Sequence, residues 1–248
     1  MSNLFTYTLR IADSSLILGQ RMSEWCSNGP TLEEDIAMSN ISLDMFGQAN
    51  GFYQYAAQLD GAKSADELAF RRNEREFFNH QLVEQENGNF GTTIVRNFLH
   101  DVFNFLFYTQ LATSKDETLS ALASKSLKEV KYHLRHSSNW LVRLGDGTAE
   151  SNTKTQVALD ELWMYTGELF EMDEVDTELV NSGIAVDNSV LKSDWDTMVN
   201  NILTKAKLTR PEDAYMATGG KKGLHTEYLG FILSEMQFLQ RAYPDAKW

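Results

Sequence analysis

Two short stretches carry residue types whose spacing bears on metal chemistry: Leu43-Asp44-Met45-Phe46-Gly47-Gln48 and Lys128-Glu129-Val130-Lys131-Tyr132-His133. Carboxylate-bridged two-iron sites in four-helix bundles take a Glu-x-x-His pair from each of two helices. Residues three apart share a helix face, so the carboxylate and the imidazole can reach one metal pair. Here Met45 and Gln48 hold those positions in the first stretch, and Val130 and His133 hold them in the second. Three of the four ligand types are replaced. The remaining imidazole, His133, lacks the carboxylates that a two-iron site needs beside it. The expectation is the frame of a metal-bearing bundle with no iron and no other cofactor in this chain.

Four acidic residues accompany the degenerate positions. Asp13 precedes Gln48 by 35 residues (48 − 13) and Asp101 precedes His133 by 32 (133 − 101), so each falls where a single-carboxylate ligand would lie on the preceding helix. Asp44 and Glu129 sit four residues before Gln48 and His133, on roughly the same helix face. These carboxylates could build a metal site at shifted spacing. The favoured reading is a polar network replacing the metal, with His133 bonded to Asp44, Asp101 or Glu129, because a buried charge must find a partner.

Outside these helices, Gly219-Gly220-Lys221-Lys222-Gly223 precedes a helical pattern. Lysines in a glycine-rich turn at a helix start can bind an anion such as a phosphate, although the spacing is not that of a P-loop. The alternative is a solvated loop or a partner contact, with His225 as a cap or interface residue. The aromatic run Phe98, Phe103, Phe105, Phe107 and Tyr108 reads as core. No nucleophile–base–acid arrangement is evident, and the single cysteine, Cys26, fits a reducing compartment.

Helices must position all of these residues. Apolar periodicity predicts helices over Thr6–Cys26 and from the Thr31-Leu32-Glu33-Glu34 capping box to about Leu59, with Asp60-Gly61 as the stop. A short helix is expected at Ala65–Phe70, then irregular chain at Arg71–Glu76 and a loop at Gln85–Gly91. Long helices follow at Thr92–Thr113 and Glu117–Leu144, and further ones near Thr153–Phe170, Ser189–Lys205 and Thr226–Arg241. No alternating strand pattern occurs. The reading is an all-α chain forming one domain over residues 1–248, with a four-helix core and added C-terminal helices.

Composition narrows the function classes. With 248 residues, 42% hydrophobic, the chain can bury a sizeable core. A net charge of −13, with no basic stripe evident in the sequence, argues against nucleic acid. No apolar run reaches membrane-span length and no signal peptide is seen, so a cytoplasmic protein is expected.

The chain also resembles, from end to end, the C subunits of the phenylacetyl-CoA epoxidases, which are multicomponent bacterial monooxygenases. Tyr7-Thr8-Leu9-Arg10, Gly47-Gln48-Ala49, Val83-Glu84-Gln85-Glu86-Asn87-Gly88-Asn89-Phe90 and Tyr132-His133-Leu134-Arg135 carry the resemblance, as does Gly219-Gly220-Lys221-Lys222-Gly223-Leu224-His225-Thr226-Glu227 with Glu235-Met236-Gln237. It implies a ferritin-like, catalytically inactive structural subunit that pairs with a homologous catalytic A subunit. That partner would carry the two-iron centre and the phenylacetyl-CoA pocket, and a reductase would supply electrons from NADPH. Under this reading Lys221 and Lys222 are candidate contacts to the partner or to a CoA phosphate. Two alternatives are a metal-binding oxygenase with its own site and an independent CoA-ester binding protein.

Overall fold

The computed structural model describes residues 2–61 and 63–246; they are predominantly helical, and none of them lies in a strand. The all-α expectation holds. Two compact units form: the chain up to Gln85 together with the chain from Gly219 onward, and Glu86–Thr218 between them.

The first unit is built on a pair of long helices, α1 (Asn3–Ser23) and α2 (Leu32–Asp60). The Ser2 hydroxyl accepts the Phe5 N–H and starts α1. The Thr31 hydroxyl accepts the Glu34 N–H and starts α2, which stops at Gly61 with φ +71°, a left-handed conformation that favours glycine. The pair is antiparallel: Asp13 bonds to Tyr53, while Gly19 lies against Met45 and Phe46. A Cβ at Gly19 would come within 2.9 Å of the Phe46 ring, so glycine lets the two backbones approach at the level of Met45. Short helices α3 (Ala65–Phe70) and α4 (Gln81–Glu84) complete the N-terminal part.

The second unit repeats the plan. Its long pair is α5 (Phe90–Leu111) and α6 (Glu117–Gly145), antiparallel with Phe90 against Trp140 and Asp101 against Ser137. Helices α7 (Ala149–Leu162), α8 (Glu174–Asn181) and α9 (Lys192–Lys205) follow. The aromatic run of α5 is core except for the half-buried Phe105: Phe103 stacks on Phe107 at 5.6 Å and meets Phe170 edge-on, which in turn meets the buried Trp195. Helices α10 (Glu227–Met236) and α11 (Phe238–Ala242) return to the first unit.

Several boundaries differ from expectation. The helix expected to reach Phe170 leaves α geometry at Leu162 and continues as 3-10 turns, Trp163–Tyr165 and Gly167–Phe170. The Thr166 hydroxyl donates to the Trp163 carbonyl, a local bond that competes with the α ladder. Its start, at Ala149 rather than Thr153, follows from a capping box between Thr148 and Ser151. The last helix divides at Gln237, whose buried amide is held by the Ala69 and Arg72 carbonyls. Helices α4 and α8 are too short for periodicity to reveal.

One charge expectation is corrected. Helix α6 does present a basic stripe: Lys125, Lys128, Lys131, Arg135 and Arg143 are all exposed. Net composition concealed it, because acidic residues elsewhere outweigh it. No helix among the described residues is long and apolar enough to cross a membrane.

Candidate functional site

In the first unit, Met45 is 3% exposed and Gln48 is also buried, on the face of α2 that meets α1. Asp13 is fully buried on α1. One of its oxygens, Oδ1, accepts the Tyr53 hydroxyl at 2.6 Å and Nη2 of Arg72. The other, Oδ2, accepts Nη1 of Arg72 at 3.1 Å and the Phe78 N–H at 2.8 Å. Burial, reinforced by Asp13, holds the Tyr53 phenol well above its ordinary range, so it remains the donor. The Arg72 guanidinium lies over the Phe77 ring, 4.1 Å from its centroid, and donates to the Leu68 and Glu76 carbonyls. A guanidinium thus neutralises a carboxylate at a place where a metal-bearing bundle would offer it to iron.

In the second unit, Val130 is 0% exposed and His133 1% exposed, one turn apart on the buried face of α6. Asp101 Oδ2 accepts the Ser137 hydroxyl at 2.7 Å. Burial pushes the Asp101 carboxyl up to about 6, against the opposing pull of His133, Ser137 and His136. Asp101 and His133 are therefore electrostatic neighbours. His100, next to Asp101 on α5, is pushed down to about 3 by burial and by Arg96, so it is a neutral imidazole. Asp44 and Glu129, expected in the same network, are half-buried. No group of three or more His, Cys, Asp and Glu side chains able to hold a metal occurs among the described residues. The residues at the signature positions do not fit a two-iron centre: two are thioether and alkyl side chains, and Asp13 has both oxygens occupied.

A second polar cluster lies in the first unit around Glu84, which is fully buried. Its Oε1 accepts the Thr226 N–H at 2.6 Å and the Thr226 hydroxyl at 2.8 Å, capping the start of α10 from outside that helix. Its Oε2 accepts Asn79 Nδ2 at 2.9 Å and faces His225 Nδ1 at 2.8 Å. His225 Nε2 faces the Phe77 carbonyl, also at 2.8 Å. Both ring nitrogens meet acceptors, and a neutral imidazole has only one N–H, so the doubly protonated ring satisfies both. The Glu84 carbonyl accepts Arg21 Nε and Nη2 from α1. This cluster joins two of the segments that carried the resemblance, Val83–Phe90 and Gly219–Glu227.

The comparisons with known proteins bear on the whole chain. A family model described as "Phenylacetic acid catabolic protein" matches residues 1–248. The chain is also 48% identical over 248 residues, covering 100% of both sequences, to the C subunit of the 1,2-phenylacetyl-CoA epoxidase of Escherichia coli (strain K12). The chain belongs to the phenylacetic acid catabolic protein family.

In this member of the family the glycine-rich loop is packed against the rest of its unit. It forms a 3-10 turn at Gly220–Lys222 between Gly219 (φ +115°) and Gly223 (φ +74°). A Cβ at Gly223 would collide with the Arg75 carbonyl, which fixes glycine there. Lys221 is only 8% exposed and its carbonyl accepts Arg10 Nη2, so it is not solvated surface; Lys222 is exposed. Sequence reasoning assigned no role to Arg72 or Glu84, because Arg72 lies in irregular chain and Glu84 in a four-residue helix without periodicity. Their signals were charge between well-formed helices and, for Glu84, its place in the Val83–Phe90 segment.

Proposed function

We propose that this chain is the C subunit of a 1,2-phenylacetyl-CoA epoxidase. It acts as a structural, catalytically inactive partner of a homologous catalytic A subunit in a cytoplasmic hetero-oligomer. The observation that carries the reading is the end-to-end relation, at 48% identity, to a protein named as that subunit. Iron and phenylacetyl-CoA belong to the A subunit, which receives electrons from NADPH through the reductase component. The fold that goes with this role is one ferritin-like domain over residues 1–248.

Two physical features favour a supporting role. Burying Met45 and Val130 where ligands would stand, and neutralising Asp13 with Arg72, stabilises a bundle frame without metal. Helix α2 also keeps an exposed stripe free of charge: Ile36, Asn40, Leu43, Gly47, Asn50 and Gln54 follow one face. Ile36 and Leu43 there are 53% and 65% exposed, and interface cores are depleted in charge. Lys222 is the accessible residue of its loop for contact with a partner or a CoA phosphate, while Lys221 holds the loop in place.

Reconstitution tests this reading. Supplied with reductase, NADPH, oxygen and phenylacetyl-CoA, the chain alone should form no epoxide. Co-purified with a catalytic A subunit, it should raise that subunit's activity. Failure to associate with the A subunit, or turnover by this chain alone, would overturn the proposal.

A further inference from the structure

Helix α6 places five cations on its outer face in a chain whose overall balance is strongly acidic. Between residues 121 and 145 there are five Lys and Arg and one acid, Glu129, a net of +4; the other 223 residues therefore carry −17 (−13 − 4). Among the described residues none of Lys125, Lys128, Lys131, Arg135 or Arg143 makes an ion pair. Elsewhere in the same unit, Lys154, Lys192, Lys207 and Arg210 each hold a carboxylate. Leaving five like charges on one helix face is unfavourable for the isolated protein, because like charges one turn apart repel.

The two arginines of the ridge are built alike. Arg135 lies over Tyr132, 5.5 Å from the ring centroid, and Arg143 lies over Trp140 at 5.2 Å. Each pair is three residues apart. Trp140 is itself fixed by an edge contact with Phe90 at 5.0 Å, while Tyr132 remains 39% exposed. Stacking on a ring orients a guanidinium and reduces the entropy lost when it grips a carboxylate. Exposed Tyr and Arg are the residue types that dominate binding energy at protein interfaces.

We propose that the outer face of α6 is a docking surface for a protein partner with an acidic face. The ridge runs from Lys125 to Arg143, about 27 Å at 1.5 Å per residue, which matches a standard interface of roughly 800 Å² per partner. A helix face is convex, so its side chains diverge and cannot converge on a small anion as a concave site does. A duplex or a lipid surface extends well past the ridge and meets, within a few Debye lengths, the −12 carried by the rest of the same unit (−8 for residues 86–218, less the ridge's +4). A protein of limited footprint avoids that repulsion. The proposal does not depend on the epoxidase reading.

The test uses the full chain with three labelled probes: a 20-residue poly-glutamate peptide, a 20-base-pair duplex and phosphatidylserine vesicles. The peptide should bind, and binding should weaken as salt rises. Lys128→Glu with Arg135→Glu should weaken it by roughly tenfold or more, as reversal of charges at a complementary surface does. Tyr132→Ala, which frees Arg135 from its ring, should weaken binding too. Far-ultraviolet circular dichroism should remain that of the parent, because these side chains are exposed. Equal peptide binding by parent and charge-reversed chain would overturn the proposal. So would tighter binding of the duplex or of the vesicles than of the peptide.

Discussion

Asp13 and Asp101 stand at matching places in the two long helix pairs, and the protein accommodates them differently. Asp13 receives a guanidinium, a phenol and a backbone N–H. Asp101 is instead raised to about 6 by burial, so its ionised form is disfavoured in the folded state. A carboxyl raised on folding binds its proton more tightly in the native chain. The penalty for Asp101 is therefore full above about pH 6 and is relieved as pH falls from there toward the ordinary carboxylate value. Asp101→Asn should stabilise the fold at pH 8, and that gain should exceed the gain at pH 5 by on the order of 1 kcal/mol. Urea denaturation of both chains at the two pH values measures this; a gain independent of pH would show that Asp101 is not the titrating group. Spacing alone singled out the candidate quartet and both aspartates for attention. It could not identify Arg72 as the partner of Asp13, since 59 residues separate them and Arg72 sits in irregular chain.

At the scale of elements, the long helices were legible because their apolar periods run over many turns and their caps are local. Of the short ones, α3 was legible at Ala65–Phe70, while α4 and α8 were not. Helix α4 spans Gln81–Glu84, and its significance lies in one side chain that reaches the start of α10. Glu84 accepts the N–H and the hydroxyl of Thr226, the residue just before α10, and pairs with His225, which fastens the C-terminal segment to the rest of its unit. Glu84→Ala removes the acceptor of the Thr226 N–H and hydroxyl and the carboxylate facing His225, at a cost of roughly 3–5 kcal/mol. Hydrogen exchange should report the loss first in α10 and α11, with α1 and α2 still protected. Uniform loss of protection across the unit would mean that the C-terminal helices are not held chiefly by this cluster. Similarly, the break at Gln237 follows from tertiary bonds to the Ala69 and Arg72 carbonyls, which no local pattern encodes.

At the scale of the molecule, the chain keeps two antiparallel helix pairs of the kind that carry two-iron centres, while three of the four signature positions hold Met45, Gln48 and Val130 and only His133 keeps a ligand type. The all-α class was readable because no strand pattern competes with the helical one. The two compact units were not, since the chain leaves the first unit at Glu86 and rejoins it at Gly219 without a linker composition to mark either crossing. The central claim is that this chain supports an iron enzyme without binding iron itself. Its most direct test is the iron content of the purified chain after anaerobic incubation with excess ferrous iron and removal of unbound metal. The account predicts iron well below one atom per chain, because Met45, Gln48 and Val130 offer no carboxylate or imidazole. About two atoms per chain, the stoichiometry of a carboxylate-bridged pair, with the absorption of an oxo-bridged centre after exposure to air, would contradict it.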